Sequence, residues 1–256
     1  MPPDSRRSIG AGSGGTSRDP ALAPPSGQRP RRSALLLTIV VAIVVPPLLV
    51  TNALRVLATE TFVRAELSRD GFPDDPYGLP VDARERLALV GLRSIEPRSE
   101  GIVLLERERL PDGTRAFGER ELAHMADVRS VFVMVLVGQL VVLAILVVLG
   151  LALARTGLRT ALPRGLLAGS LVTLGIAVLA VPFMLLGFDR FFTRFHEVFF
   201  EGDSWRFSTR DMLIRLYPEQ LWQDVSILAA ALTVGQAVVV GLLSWWWLRT
   251  LRRREG

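Results

Sequence analysis

The chain has 256 residues, half of them hydrophobic, and a formal net charge of +5. It has no cysteine, and all 30 basic residues are arginine, which excludes disulfides, thiolate chemistry, cysteine-ligated metals and a lysine nucleophile. The charge is no nucleic-acid footprint: arginines outside the apolar blocks are matched or outnumbered by acids, and the unmatched ones flank those blocks.

Residues 1–32 are rich in Pro, Gly, Ser and Arg and are expected to form a disordered basic cytoplasmic tail, with Arg29, Arg31 and Arg32 against anionic headgroups. Residues 33–251 read as a four-span membrane domain. The first span covers about 34–54, and Pro46 and Pro47 inside it should kink it. Loop 55–130 follows. Its amphipathic stretch 54–67 predicts a helix, 71–80 carries turn signals, 81–92 predicts a second helix, and 101–110 is a short apolar run compatible with strand or helix. After a turn at 111–118, residues 119–132 read as helix running into the second span, about 131–154, whose one internal polar group is Gln139.

The third span covers about 165–188. Loop 189–224 holds the densest aromatic cluster, and the fourth span, about 225–248, ends in Trp245, Trp246 and Trp247 beside Arg249. The tail, the segment bearing Arg155, Arg159 and Arg164, and the C-terminal arginines alternate onto one side. The positive-inside rule makes that side cytoplasmic, with both termini inside and loops 55–130 and 189–224 outside. The expected fold class is an all-α membrane protein. It has four transmembrane helices, a small mostly helical extracytoplasmic domain between spans one and two, and a helical extracytoplasmic loop between spans three and four.

Acid–base chemistry here must use histidine, carboxylate or hydroxyl. Glu121, His124 and Asp127 are spaced three apart and share a helical face, so a carboxylate can hold the imidazole tautomer; a solvated helix face gives the same pattern. His196 lies within an arc of Phe188, Phe191, Phe192, Phe195 and Phe199, away from Arg194 and Glu201. Desolvation there favours the neutral ring, which suits a general base; a packed structural histidine is the alternative. Ser208 and Asp211 resemble a capping box, Pro218 a first helical position, and Trp205 and Trp222 interface anchors. Asp203, Asp211 and Glu219 are available to orient a histidine, to hold an amine, or simply to be solvated. Ser204 has no nucleophile-elbow context. The two histidines are expected at one interface, not facing each other in a bundle. With no further ligand set, no metal and no cofactor is expected.

The segments His124-Met125-Ala126-Asp127-Val128 and Phe195-His196-Glu197-Val198-Phe199-Phe200 resemble a bacterial family of four-span membrane proteins that includes the lipoprotein intramolecular transacylase. So does the run from Trp205 through Asp211 and Leu216-Tyr217-Pro218-Glu219. The resemblance covers about 33–251. It implies an acyltransferase acting on diacylglyceryl-modified lipoproteins among membrane lipids at the outer face. The sn-2 acyl chain passes to the α-amino group of the N-terminal cysteine, giving a lyso-form lipoprotein. The family's two functional histidines fall on His124 and His196, with Glu121, Asp127, Trp205, Asp211, Tyr217 and Glu219 as supporting candidates. The alternative from another class is a non-catalytic membrane assembly or sensor protein with structural or pH-sensing histidines. A transporter is disfavoured by spans without charge.

Overall fold

The computed structural model describes residues 28–155 and 158–255. The expected tail up to residue 27 lies outside the described residues. In chain order the helices are α1 (Gln28–Leu57), α2 (Glu60–Leu67), α3 (Val81–Ile95), α4 (Val103–Glu106), α5 (Glu119–Ala154), α6 (Ala161–Leu186), α7 (Phe188–Phe199), α8 (Met212–Leu216) and α9 (Glu219–Glu255). Four of them, α1, α5, α6 and α9, are long and apolar enough to cross a membrane. Their outward leucines, valines and isoleucines are exposed, as lipid-facing positions should be. The molecule is thus an all-helical, four-span membrane protein, with the short helices gathered as a cap at one end of the bundle.

Helices outrun their apolar windows. α1 begins at Gln28, inside the stretch expected to be tail, and α6 stops at Leu186 with Gly187 between it and α7. The 54–67 stretch is not one helix. It breaks after Leu57, and Thr59 in extended conformation caps α2 by accepting from Phe62 N at 3.4 Å. The ambiguous 101–110 run becomes the single turn α4, followed by a lone antiparallel bridge between Arg109 and Arg115. Pro218 precedes the first helical residue of α9, and α8 starts only after Asp211, so Ser208 caps no helix.

The bundle's tightest seam joins α1 to α6. A Cβ added to Gly165 would lie 2.5 Å from Val41 Cβ, and one added to Gly169 would lie 2.6 Å from Val45 Cβ and 2.9 Å from the Ala42 carbonyl oxygen. These two glycines, four apart, let the helix backbones touch, since lipid supplies no hydrophobic drive for association and close packing must do so. Pro46 removes the N–H that would have bonded Ala42 O, and Gly169 brings its Cα to that freed carbonyl. Gly169→Ala should therefore push the helices apart. A loss of about 1–3 kcal/mol is expected, visible as a lower Tm in detergent, and an unchanged Tm would show that the seam yields freely.

The cap has its own core. Leu87, Ala88, Leu89 and Leu92 of α3 pack with Leu105, Phe117, Met125 and with Met212, Leu213 and Leu216 of α8. Two arginines brace it onto the long helices. Arg129 donates to Ser94 O at 2.8 Å, and Arg69 joins Glu66 at 2.9 Å to Asp224 at 2.6 Å. The cap is thus fixed to α5 and α9 and holds the loop after α7 over the start of α5.

Candidate active site

The two histidines come from different helices and meet under the cap. α5 has 36 residues, about 54 Å at the α-helical rise, against roughly 30 Å for the bilayer's apolar core. Its charged residues, Glu119 to Arg129, occupy only the first three turns, so His124 lies above the apolar stretch. His196 lies in the last turn of α7. Their ring centroids are 6.2 Å apart and 23° from parallel. The expectation that they share an interface without facing each other is corrected here: the connection that folds α7 back over α5 places them ring against ring.

Aromatic side chains wall the pair. Phe192 lies 4.1 Å, Trp205 4.8 Å and Phe195 5.5 Å from His196, between ring centroids. Phe200 is edge-on to His124 at 4.9 Å, and Phe207 at 5.4 Å. The phenylalanine arc seen in the sequence supplies one wall. The other comes from the 200–207 loop, and Phe207 in particular could not be assigned from helical spacing, because it stands outside any helix.

Both imidazoles are 8 % exposed. Burial, the largest cause, lowers both pKa values; His124 goes to about 4, with the neighbouring His196 adding to the effect and Asp127 opposing it. Two like charges at this separation are unfavourable, so at most one of the two rings is cationic at neutral pH. His196 Nδ1 is 2.8 Å from Phe192 O. A carbonyl can only accept, so Nδ1 carries the proton and Nε2 keeps the lone pair. His124 Nδ1 is buried with no partner.

The carboxylates do other work than the spacing suggested. Glu121 does not hold His124. Its Oε2 accepts from Gly118 N at 2.8 Å and its Oε1 from Leu213 N at 2.7 Å, so it caps α5 and pins α8 to it. Burial raises its pKa, and those backbone donors oppose the rise. Asp127 is exposed and acts on His124 only through its charge. Asp211 accepts from Ser208 N at 2.6 Å. Tyr217 donates its hydroxyl to Ala88 O at 2.6 Å, fixing the α8–α9 junction to α3, and Glu219 accepts from Gln223 one turn on. The structure therefore brings Trp205 to the histidines and Glu121 beneath their scaffold, and leaves Asp211, Tyr217 and Glu219 out of contact with both rings. Among the described residues no group of three or more His, Cys, Asp or Glu could hold a metal ion.

A neutral imidazole with a free Nε2, a second imidazole within one substrate group's width, and a dry aromatic wall can shuttle protons at an acyl centre. Residues 104–222, which contain both histidines, match the family model described as lipoprotein intramolecular transacylase Lit. An uncharacterized protein of Aquifex aeolicus is 31% identical over 205 residues, 80% of this chain and 91% of that protein. The fold matches the membrane integral lipoprotein intramolecular transacylase Lit from Bacillus cereus with a TM-score of 0.73 at 20% identity, covering 87% of this chain and 99% of that one. A structure of the same protein carrying a histidine-to-alanine substitution matches with a TM-score of 0.66 at 17% identity, covering 90% of this chain and all of that one.

Proposed function

The chain belongs to the lipoprotein intramolecular transacylase family, and on that premise we propose that it moves an ester-linked acyl chain of a diacylglyceryl lipoprotein onto the α-amino group of the same molecule's N-terminal cysteine. The observation that carries this is the stacked histidine pair in its aromatic enclosure. Amine and ester already share one molecule, so the substrate supplies proximity and the protein supplies proton transfer.

His196 is the base. Its Nε2 lone pair takes the proton that the amine nitrogen sheds as the new C–N bond forms, while Nδ1–H stays anchored on Phe192 O. His124 faces it, donates its N–H proton to the glycerol oxygen as the ester C–O bond breaks, and regains the proton that His196 took, so both rings end neutral. Starting from an ammonium, one proton is released to water over the whole reaction; neither histidine is consumed. The cap end faces outward, away from the arginine-rich segment 155–164 and the C-terminal arginines, in keeping with the positive-inside rule.

The test is mass spectrometry of a lipoprotein N-terminal peptide from a host that makes only diacylglyceryl lipoproteins, with and without this protein. An unchanged total mass with one acyl chain on the amine is expected. Chains that stay on the glycerol, in a well-expressed sample, would return the protein to a non-catalytic role.

Because the chain has only two histidines, ¹⁵N-histidine NMR on untagged protein reads the pair directly. A lowered pKa keeps a base neutral to lower pH. His124, brought to about 4, should thus remain neutral at pH 6, and His196 should titrate below the ordinary value of 6.5. His196 should show the Nδ1–H tautomer. Either ring titrating at 6.5 or above would contradict the buried pair.

A further inference from the structure

Among the described residues, two buried side-chain polar atoms lack a hydrogen-bond partner: His124 Nδ1 and Ser204 Oγ. The first belongs to the pair already described. We infer that the second marks a further catalytic residue, with the Ser204 hydroxyl donating to the oxyanion formed when the amine adds to the ester carbonyl. This rests on the acyl transfer proposed above.

The loop that carries Ser204 is the loop that walls the histidines. Phe200 and Phe207 lie edge-on to His124, and Trp205, the next residue, lies over His196. The turn at 202–205 is held by Gly202 in the left-handed region at φ 64° and by the Trp205 indole N–H donating to Gly202 O at 3.1 Å. Asp203 and Arg206 pair with each other at 3.2 Å on the solvent side. The buried members of the turn are the Trp205 ring and the Ser204 hydroxyl oxygen.

Chemistry needs such a group. As the nitrogen lone pair forms the C–N bond, the carbonyl π pair moves onto oxygen, and a negative charge develops in a site lined by phenyl rings. The Trp205 N–H is already committed to Gly202 O. His196 is occupied in taking the amine proton and His124 in protonating the leaving oxygen. Ser204 Oγ–H is the uncommitted hydroxyl donor on this loop. It lends a hydrogen bond and keeps its own proton throughout; when the oxyanion collapses, the electron pair returns, the C–O bond to glycerol breaks, and that oxygen is protonated by the histidine pair. A buried hydroxyl without a partner is costly to the resting fold, and its persistence fits a role met only when substrate is bound.

The assignment predicts a paired signature. In purified protein acting on a diacylglyceryl lipopeptide, Ser204→Ala should lower kcat by about 100- to 1000-fold with KM within about twofold. Its Tm should stay level or rise, because an unpartnered polar group is gone. Ser204→Thr, which restores a hydroxyl, should recover most of the rate. An unchanged kcat in Ser204→Ala would overturn the assignment. So would a lower kcat accompanied by a Tm several degrees down, since that would make the hydroxyl structural. Wild-type protein without N-acyl product would instead sink the acyl-transfer function itself, and this assignment with it.

Discussion

Replacing His196 with alanine should lower acyl transfer by about three orders of magnitude, the middle of the range that a positioned general base contributes. The four-span fold should survive. His196 anchors no neighbouring element by hydrogen bond: its one side-chain bond, 2.8 Å to Phe192 O, stays within α7. A sharper variant is His196→Asn. The asparagine amide can still donate to that carbonyl but has no basic lone pair, so the ring's anchoring and its basicity are separated. It should be as inactive as alanine with a Tm close to wild type. His124→Ala should fall to a similar level, and the double variant should be no worse than the poorer single one, because two groups acting on one proton path lose their effect together. Activity in His196→Asn within tenfold of wild type would remove His196 from the base role. Additive losses in the double variant would mean that the two rings work independently, against the 6.2 Å stacking of the pair.

How much of this was legible before the fold depended on whether a feature is local. Four spans follow from apolar length alone. His196's dry surroundings follow from phenylalanines at helical spacing on its own helix. The contact between His124 and His196 does not, because it is made by the α6–α7 connection turning one helix over another, and spacing within a segment is silent about that. The Glu121–His124–Asp127 triplet misled for a related reason. Residues three apart share a face, but which neighbour a carboxylate answers is set by unsatisfied donors nearby. At the start of α5, those donors are the Gly118 and Leu213 backbone N–H groups. Gly165 and Gly169 carried a usable signal, two glycines four apart in an apolar helix, and at both of them α6 leaves no room for a Cβ against α1. Ser204 had none: a serine in a loop acquires meaning only when its oxygen is seen buried without a partner.

Glu121 is where the site and the fold are joined, and its removal should produce the largest loss of stability of any single polar change in the cap. Glu121→Ala leaves two backbone N–H groups without acceptors, the part-exposed one of Gly118 at the start of α5 and the buried one of Leu213 in α8. The buried Leu213 N–H costs about 1–3 kcal/mol when unsatisfied, and losing the α5 cap at Gly118 adds about 1 kcal/mol, a large share of the roughly 5–15 kcal/mol that holds an ordinary domain together. A drop of many degrees in Tm is the expected result, with activity lost as α8 and the preceding loop come away from α5. Glu121→Gln separates a structural role for this residue from a catalytic one. An amide oxygen can accept from one backbone N–H, but its NH₂ must then face the other. The variant should therefore be less stable than wild type yet keep part of its activity wherever it remains folded. Were Glu121 instead the carboxylate that works on His124, the glutamine variant would be stable and catalytically dead. The two oxygens of Glu121, at 2.8 and 2.7 Å from their backbone donors, favour the first outcome. The 200–207 loop that walls the histidines leads through residues 208–211 into α8, so the carboxylate that fastens α8 to α5 also sets how closely Trp205 and Phe207 can close over the pair.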